Sequence, residues 1–509
     1  MSDPKLNLVT DSEFTEKELA CAYLLPPPEV FKSEAIIAKK DLKAYSDNTI
    51  KDYTSNGVYN FIIQPLQDSL VDLSSLKLNI IAHCFGNDTK VTGEDMLLGD
   101  FTLMNHISQI TLRIGGADVQ TISNPCVIKN MSKLFKYGTI RTQNHELTIN
   151  GLYPKDDIKN PLDTVNSTTT LANINNIYYK AGVEGTACEF YISEIIPLSD
   201  IFQVDFSLYP FIYNRKIEVS ITWNSEKIVD INTLSNTNTY ITIKDFSQYY
   251  LMYQASILNQ DSRNQMIKAY QKKVSALIPN TNYILSSLGS YNKDTQMQQT
   301  ISIPIGFSSE SITLFFPNST SASEKYSHKS EANYANTTHH TCNSFRFMNL
   351  RKVVVSCGTN VLKTFDFTEN STPYANSSEL LQALCKLTDN VNTKIQNYSI
   401  AYKEYLECEC PKVSYPEFLS DYFCLYIDTR PFSQIASNNT LQIDITFGEV
   451  ADAIAANDGV TNQRILGDTA MLKSLGVITK NTKVLTFDPE GSCGVFNVAN
   501  NILNDYMEL

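Results

Sequence analysis

The stretch KIEVSITW, residues 216–223, decides the fold class. Every second residue of this run is hydrophobic: Ile217, Val219, Ile221 and Trp223. The residues between them are polar, so the period of two predicts a β-strand with one buried and one polar face. A second run, TLQIDITFGE at 440–449, alternates in the same way. Strands of this kind are typical of antiparallel sheets that cover a core on one side.

Further strand-like runs lie around these two. In the N-terminal half they are VYNFIIQ (58–64), LSSLKLNIIAHCF (73–85), QITLRIGG (109–116), ACEFYISEIIPL (187–198) and TYITIKDF (239–246). In the C-terminal half they are QTISIPIG (299–306), ESITLFFP (310–317), LRKVVVSCG (350–358), DYFCLYIDTRP (421–431) and KVLTFDP (483–489). We expect additional strands within 139–186 and near 362–368, and helices at 124–138 and 377–406.

The same order of elements in both halves predicts a duplication. IEVSITW (217–223) aligns with LQIDITF (441–447) at an offset of 224, with hydrophobic residues on hydrophobic residues. LRIGGADV (112–119) aligns with VVSCGTNV (354–361) at an offset of 242, which places Gly116 on Gly358. Two unrelated β domains are the alternative interpretation.

The predicted fold class is therefore all-β, with two tandem eight-stranded jelly-roll β-sandwiches and inserted helices. We divide the chain into an N-terminal arm (1–35), a first jelly roll (36–257), a helical linker (258–273) and a second jelly roll (274–509). Regular structure is expected to begin near residue 55, and residues 155–178 and 318–345 are expected to be exposed loops. Pro26, Pro27 and Pro28 keep the arm extended.

Composition excludes several classes of protein. The chain has 509 residues and a formal net charge of −13, which argues against direct binding of nucleic acid by a basic surface. It has no run of 18 apolar residues, and we expect neither a membrane-spanning helix nor a secretory signal. The 11 cysteines are scattered, and several lie in apolar runs, which predicts free thiols and a reducing compartment: Cys84, Cys188, Cys357 and Cys424.

No residue pattern in the sequence predicts catalysis. His339, His340 and Cys342 form HHTC inside a polar loop, and whether this run binds anything stays open. The spacing of Cys408 and Cys410 does not fit a zinc site. The adjacent acids Glu94 and Asp95 are expected to solvate a turn. We therefore expect no catalytic, cofactor-binding or metal-binding residue, no cofactor and no enzymatic activity.

The chain resembles the double jelly-roll major capsid proteins. The likeness rests on two tandem rolls, a short helical link, inserted helices and a free N-terminal arm. The runs DLSSLKLNIIAHCFG (72–86) and HISQITLRIGGADVQTI (106–122) look most like the virophage and Polinton-like virus branch of this family. The alternative is a tandem β-sandwich that binds or processes carbohydrate, which needs an aromatic cleft and two carboxylates about 5–9 Å apart.

The resemblance implies a structural coat protein without catalytic residues. It implies homotrimers that form pseudo-hexameric capsomers of an icosahedral shell, in a virion assembled inside the host cell. The implied partners are neighbouring trimers and penton or minor capsid proteins. Because the net charge is −13, we expect no direct sequence-specific binding of nucleic acid, and either another protein or an internal membrane is expected between the coat and the genome. A minor vertex or spike protein is a second alternative.

Overall fold

The structure is a computed structural model that describes 212 of the 509 residues, about two fifths of the chain. The described residues are 36–46, 53, 56–63, 69–86, 96–98, 103–128, 177–180, 189–202, 207–208, 216–224, 228–229, 231–233, 241–264, 274–290, 297–304, 309–316, 350–367, 423–429, 440–447, 472–487 and 493–497. Within these ranges, no helix is long and apolar enough to cross a membrane.

Most described residues belong to β-strands. The strands of the N-terminal half are β1 (Ile36–Tyr45), β2 (Val58–Ile63), β3 (Ser69–Gly86), β4 (Met96–Leu98), β5 (Ile107–Ile114), β6 (Ala117–Ser123), β7 (Ile177–Lys180), β8 (Glu189–Pro197), β9 (Ser207–Leu208), β10 (Ile217–Trp223), β11 (Ile228–Val229), β12 (Ile231–Thr233) and β13 (Ile241–Leu258). A short helix, α1 (Leu198–Phe202), follows β8, and a 3₁₀ turn (Met104–His106) precedes β5.

The C-terminal half is also built mainly of β-strands. Its strands are β14 (Val274–Ser290), β15 (Met297–Pro304), β16 (Ser309–Phe315), β17 (Leu350–Cys357), β18 (Asn360–Asp366), β19 (Cys424–Asp428), β20 (Thr440–Phe447), β21 (Leu472–Phe487) and β22 (Cys493–Asn497). Residues 125–128 and 260–264 are helical. The predicted helix 377–406 lies outside the described residues.

The strand order identifies two jelly rolls. In the first roll the sheets run β1-β13-β3-β8-β7 and β2-β10-β5-β6, and in the second they run β14-β21-β16-β19 and β15-β20-β17-β18. If the eight principal strands of each roll are counted in chain order, both rolls pair first–eighth–third–sixth and second–seventh–fourth–fifth. All of these pairs are antiparallel. The predicted pair of eight-stranded jelly rolls is confirmed.

The seventh strand of each roll lies in the centre of a sheet and supplies core residues. In β10 the hydrophobic positions of the alternation are fully buried: Ile217, Val219, Ile221 and Trp223. Their counterparts in β20 are buried to the same degree: Leu441, Ile443, Ile445 and Phe447. The Trp223 indole N–H donates to the Tyr249 hydroxyl at 3.1 Å, which satisfies the one polar atom of this buried side chain.

The pairing registers show that the two seventh strands are equivalent residue by residue. Ile221 lies opposite Ile110, and Ile445 lies opposite Val353. Both pairings then skip one residue of the partner strand, so that Trp223 meets Ile107 and Phe447 meets Leu350. The shared irregularity confirms the offset of 224 between the halves.

The hairpin that joins the fourth and fifth strands corrects the second predicted offset by one residue. Gly115 and Gly358 both have φ of +59°, the left-handed conformation that glycine adopts without strain. They are therefore equivalent, and the offset is 243 rather than 242. The predicted match of Gly116 with Gly358 is wrong because it compared residue identity, whereas the turn is defined by backbone conformation.

This corrected register also matches a β-bulge in the two hairpins. Leu112 pairs with Gln120 and Arg113 with Asp118, which leaves Val119 as the extra residue. In the second roll Val355 pairs with Lys363 and Ser356 with Val361, which leaves Leu362 as the extra residue. Each residue of β6 thus has a defined counterpart in β18, from Ala117 and Asn360 to Ser123 and Asp366.

Several predicted limits of strands are wrong. The first described strand begins at Ile36, ahead of the expected start near residue 55. Strand β13 continues well beyond 246, and β21 begins at Leu472 rather than at 483. Residues 177–178 belong to β7 rather than to a loop. The strands expected within 139–186 and near 362–368 are present as β7 and β18. Residues 155–176 and 318–345 lie outside the described part of the chain.

The central strands offer a direct test of the fold. Replacing Ile221 or Ile445 by Asp should abolish folding, because an unpaired buried carboxylate costs several kcal/mol, about the stability margin of a domain. The outward neighbours Thr222 and Thr446 are only partly buried, so Thr222→Asp and Thr446→Asp are matched controls. Soluble yield and far-UV circular dichroism report the result, and folded I221D protein would contradict the core assignment.

Candidate functional site

The residues that the sequence singled out for chemistry lie in parts of the chain that the structure does not describe. The HHTC residues, Cys408 with Cys410, and Glu94 with Asp95 lie outside the described residues. Within the ranges that the structure describes, no group of three or more His, Cys, Asp or Glu side chains could hold a metal ion.

One histidine is flanked by two carboxylates on the outer face of the first roll. His83 of β3 places its Nδ1 atom 3.3 Å from an Asp245 carboxylate oxygen, and its Nε2 atom lies 4.0 Å from a Glu189 oxygen. Its ring stacks on Tyr191 with the ring centroids 4.6 Å apart. These contacts join β13, β3 and β8 side by side. The cluster therefore stabilises three neighbouring strands, and it contains no nucleophile.

The described cysteines are structural. Cys84, Cys126, Cys357 and Cys424 are free and buried. Burial raises the pKa of the Cys84 and Cys424 thiols, so both stay protonated at neutral pH and are poor nucleophiles. The predicted free thiols at 84, 357 and 424 are confirmed, whereas Cys188 lies outside the described residues.

In the described residues, the two rolls meet around β6 of the first roll. The fifth strand of the first roll, β6, lies against β14, the first strand of the second roll, and against β22. Helix α1 contacts β3, β6 and β14. Its side chains Leu198, Ile201 and Phe202 are buried, and the buried hydrophobic residues of both rolls form one contiguous core. The two sandwiches are therefore packed into a single block.

The sequence did not reveal α1. The sequence predicts a strand over 187–198, whereas β8 ends at Pro197, directly before the helix. The signal in the sequence is weak: Ile201 and Phe202 are two adjacent apolar residues after a proline. Nothing in this pattern shows that the helix would lie between two rolls.

Among the edge strands of the described sheets, β1 in the first roll and β18 in the second present exposed apolar side chains. We call residues 36–45 the β1 edge and residues 360–366 the β18 edge. On the β1 edge, Ile37 is 67% exposed and Tyr45 is 65% exposed. Lys43 places its Nζ atom 4.3 Å from the ring centroid of Tyr250, and the Tyr45 ring lies 5.8 Å from the same ring. This mixture of apolar, aromatic and cationic groups suits binding to another macromolecule.

On the β18 edge, Asn360, Val361 and Thr364 are exposed. The outer neighbours of this strand in the sheet are absent among the described residues, since β18 pairs only with β17. The candidate functional site of this protein is therefore a pair of sheet edges at the surface of a two-roll block. Such edges can bind a partner, and they carry no constellation that supports catalysis.

No protein-family model matches the chain, and no curated protein matches its sequence. Solved structures do match its fold. PBCV-1 VP54, in a crystal structure fitted into a reconstruction of the virophage Sputnik, is 11% identical with a TM-score of 0.54, covering 92% of this chain and 98% of VP54. A chain of the Sputnik virophage cryo-EM structure is 12% identical with a TM-score of 0.53, covering 99% and 94%.

A chain of the PBCV-1 virus capsid is also similar, with 12% identity, a TM-score of 0.52 and coverage of 92% and 98%. The likeness thus extends over nearly the whole length of both partners in each comparison. The chain has the double jelly-roll fold that its sequence predicted, and it shares this fold with the PBCV-1 and Sputnik chains.

The packing between the rolls yields a second prediction. Phe202→Ala removes a fully buried ring from α1 and should lower the free energy of unfolding by about 3–5 kcal/mol. Urea unfolding followed by the fluorescence of Trp223, the single tryptophan, measures this change. Val58→Ala is the control, because Val58 is 45% exposed. A loss below about 1 kcal/mol for F202A would show that α1 does not contribute to the core.

Proposed function

We propose that this protein is a structural major capsid protein. Three copies form a pseudo-hexameric capsomer, and many capsomers form an icosahedral shell. The observation that carries this proposal is the pair of jelly rolls with identical strand order, packed as one block through β6 and β14. The whole-length likeness in fold to chains of PBCV-1 and of the Sputnik virophage supports it.

The geometry of duplication supports a shell. Each chain supplies two similar rolls, so a threefold arrangement of chains places six similar rolls around its axis. A unit with six similar sides can tile a surface, as a hexagon does. Because the two rolls differ in sequence, the contacts around the unit are similar rather than identical.

The described side chains favour a structural role over an enzymatic one. Among the described aromatic residues, Tyr59, Phe61 and Trp223 are packed in the core, whereas a sugar-binding cleft would present such side chains to solvent. The carboxylates of Asp245 and Glu189 flank His83 instead of facing each other across a cleft. We propose that the protein is not an enzyme and that it needs no cofactor.

The charge of the chain suggests how the shell relates to its contents. With a net charge of −13, the coat has little electrostatic attraction for a genome. We propose that penton or minor capsid proteins, or an internal membrane, lie between the coat and the nucleic acid. The proposed location of the protein is the virion capsid, after synthesis and assembly in the host cell.

The test of the proposed function is the assembly state of the purified protein. Light scattering after gel filtration should give about 172 kDa, three times the chain mass of 57.2 kDa. Negative-stain microscopy should show pseudo-hexagonal particles or shells. A monomer that forms no particles at any concentration would contradict the proposal, and hydrolysis of a polysaccharide by that monomer would favour the carbohydrate alternative.

The division of the chain into an arm (1–35), two rolls (36–257 and 274–509) and a linker (258–273) remains a proposal. The arm combines a polar start with the apolar residues Leu24, Leu25, Val30 and Phe31. Fully burying each of these side chains is worth about 1.5–3 kcal/mol, so we propose that the arm docks on a neighbouring capsomer or on an inner partner.

Deleting residues 2–28 tests this role of the arm. The trimer should persist, because both described sandwiches begin after the deleted residues. Contacts between trimers should weaken, which lowers the yield and the thermal stability of shells in negative-stain and light-scattering assays. Shells of normal yield would refute docking, whereas loss of the trimer would place the arm within the subunit fold.

A further inference from the structure

We propose that the β1 edge of one copy packs against the β18 edge of the next copy, repeating between chains the contact that β14 and β6 make within a chain. This inference rests on the proposed function, since it assigns residues to the subunit interface of the trimer. The partner of each edge is thus a second copy of this chain.

The contact within the chain is the template. It joins the fifth strand of the first roll, β6, to the first strand of the second roll, β14. The two strands lie against each other without forming a ladder: they end two different sheets, in which β6 pairs with β5 and β14 pairs with β21. Among the described strands, β1 lies against β13 and β2, and β18 lies against β17, so the other first strand and the other fifth strand make no such contact between rolls. These are the same two kinds of strand that meet in the template.

Burial shows that β18 lacks the cover that β6 has. Val119 is 0% exposed and its counterpart Leu362 is 8% exposed. Gln120 is 2% exposed, whereas Lys363 is only partly buried. Thr121 is partly buried, whereas Thr364 is exposed, and the same holds for Ala117 and Asn360. Four matched positions are thus less exposed on the strand that lies against β14 and β22.

One of the matched positions stays exposed to solvent in the contact within the chain. Asp118 in β6 has 57% of its side chain exposed, although the strand lies against the second roll, and its carboxylate forms an ion pair with Arg113. Its counterpart Val361 is 62% exposed. If the contact between chains repeats the contact within the chain, position 361 stays exposed in the trimer and tolerates a large polar residue.

The β1 edge carries side chains that could pack over the exposed β18 edge of another copy. Ile37 and Tyr45 expose large apolar surfaces near the two ends of the strand. Between them lie the exposed cations Lys39, Lys40 and Lys43. Edge lysines discourage a further strand from adding to a sheet. They leave packing between side chains available, which is how β14 and β6 already meet.

Such a contact joins two different surfaces and is therefore head-to-tail. Head-to-tail contacts close into rings when the rotation between copies divides a full turn. With one contact inside each chain and one between chains, six rolls from three copies complete the ring. The repeated pairing of a first strand with a fifth strand therefore favours a second copy of this chain as the partner of both edges.

Substitutions on both edges test the inference in the full-length protein. Thr364→Arg and Ile37→Arg should each weaken the trimer by at least about thirtyfold, as a disrupted interface anchor does. Val361→Arg, on the same strand as Thr364, is the matched control and should leave the trimer intact. Light scattering over a dilution series measures association, and circular dichroism with Trp223 fluorescence shows that each variant is folded.

Mixing the variants tests the direction of the contact. A copy with T364R keeps an intact β1 edge, and a copy with I37R keeps an intact β18 edge. An equimolar mixture should form a dimer of about 114 kDa, twice 57.2 kDa, because it retains one good contact and cannot close the ring. Dimers formed by I37R alone, with no trimer, would overturn the head-to-tail arrangement.

The outcomes separate this inference from the proposed function. A trimeric wild-type protein whose T364R and I37R variants are also trimeric retains the coat function and overturns the assignment of the two edges. Loss of the trimer in V361R overturns the template, because that position should stay exposed. A wild-type protein that never trimerises overturns the proposed function itself.

Discussion

The fold depends on pairing the end of each roll with its beginning. β13 lies between β1 and β3, so that Leu251 is flanked by Ala44 and by Leu78. β21 occupies the same place between β14 and β16. Neither first strand can complete its sheet until the eighth strand has been reached. Such pairings between distant residues are closed at a cost in chain entropy, which makes a roll of this kind slow to fold and cooperative once closed.

Alternation in the sequence predicted the strands that lie in regular ladders, and it failed where bulges interrupt them. β10 and β20 could be predicted because their period of two is uninterrupted over the core positions. β13 was predicted only as far as 246, and its pairing with β3 shifts after Ile243, Phe246 and Met252. The first two shifts exchange the inner and outer faces, so the hydrophobic pattern of β13 no longer has a single period. β1 was missed because it is an edge strand with mostly exposed side chains.

The candidate site was less predictable than the fold, since it depends on which strand covers which. The sequences ADVQTIS of β6 and NVLKTFD of β18 have the same bulge and the same register with their partners. Their difference in exposure comes from β14 and β22, which follow much later in the chain than β6. The sequence of one strand does not predict which distant strand packs against it. The predicted offset of 242, which is one residue too small, would also have compared each residue of β6 with the wrong residue of β18.

Joining two rolls in one chain makes the two kinds of contact physically different. The contact of β6 with β14 is intramolecular, so the linker holds its partners at a high effective concentration and its stability is independent of protein concentration. This contact includes α1 and the fully buried Val119. The proposed contact between chains has no such help, and its exposed strand carries Lys39, Lys40 and Lys43. Because that contact alone responds to protein concentration, a folded block can exist before assembly, and the closure of the ring can be controlled separately from the folding of the rolls.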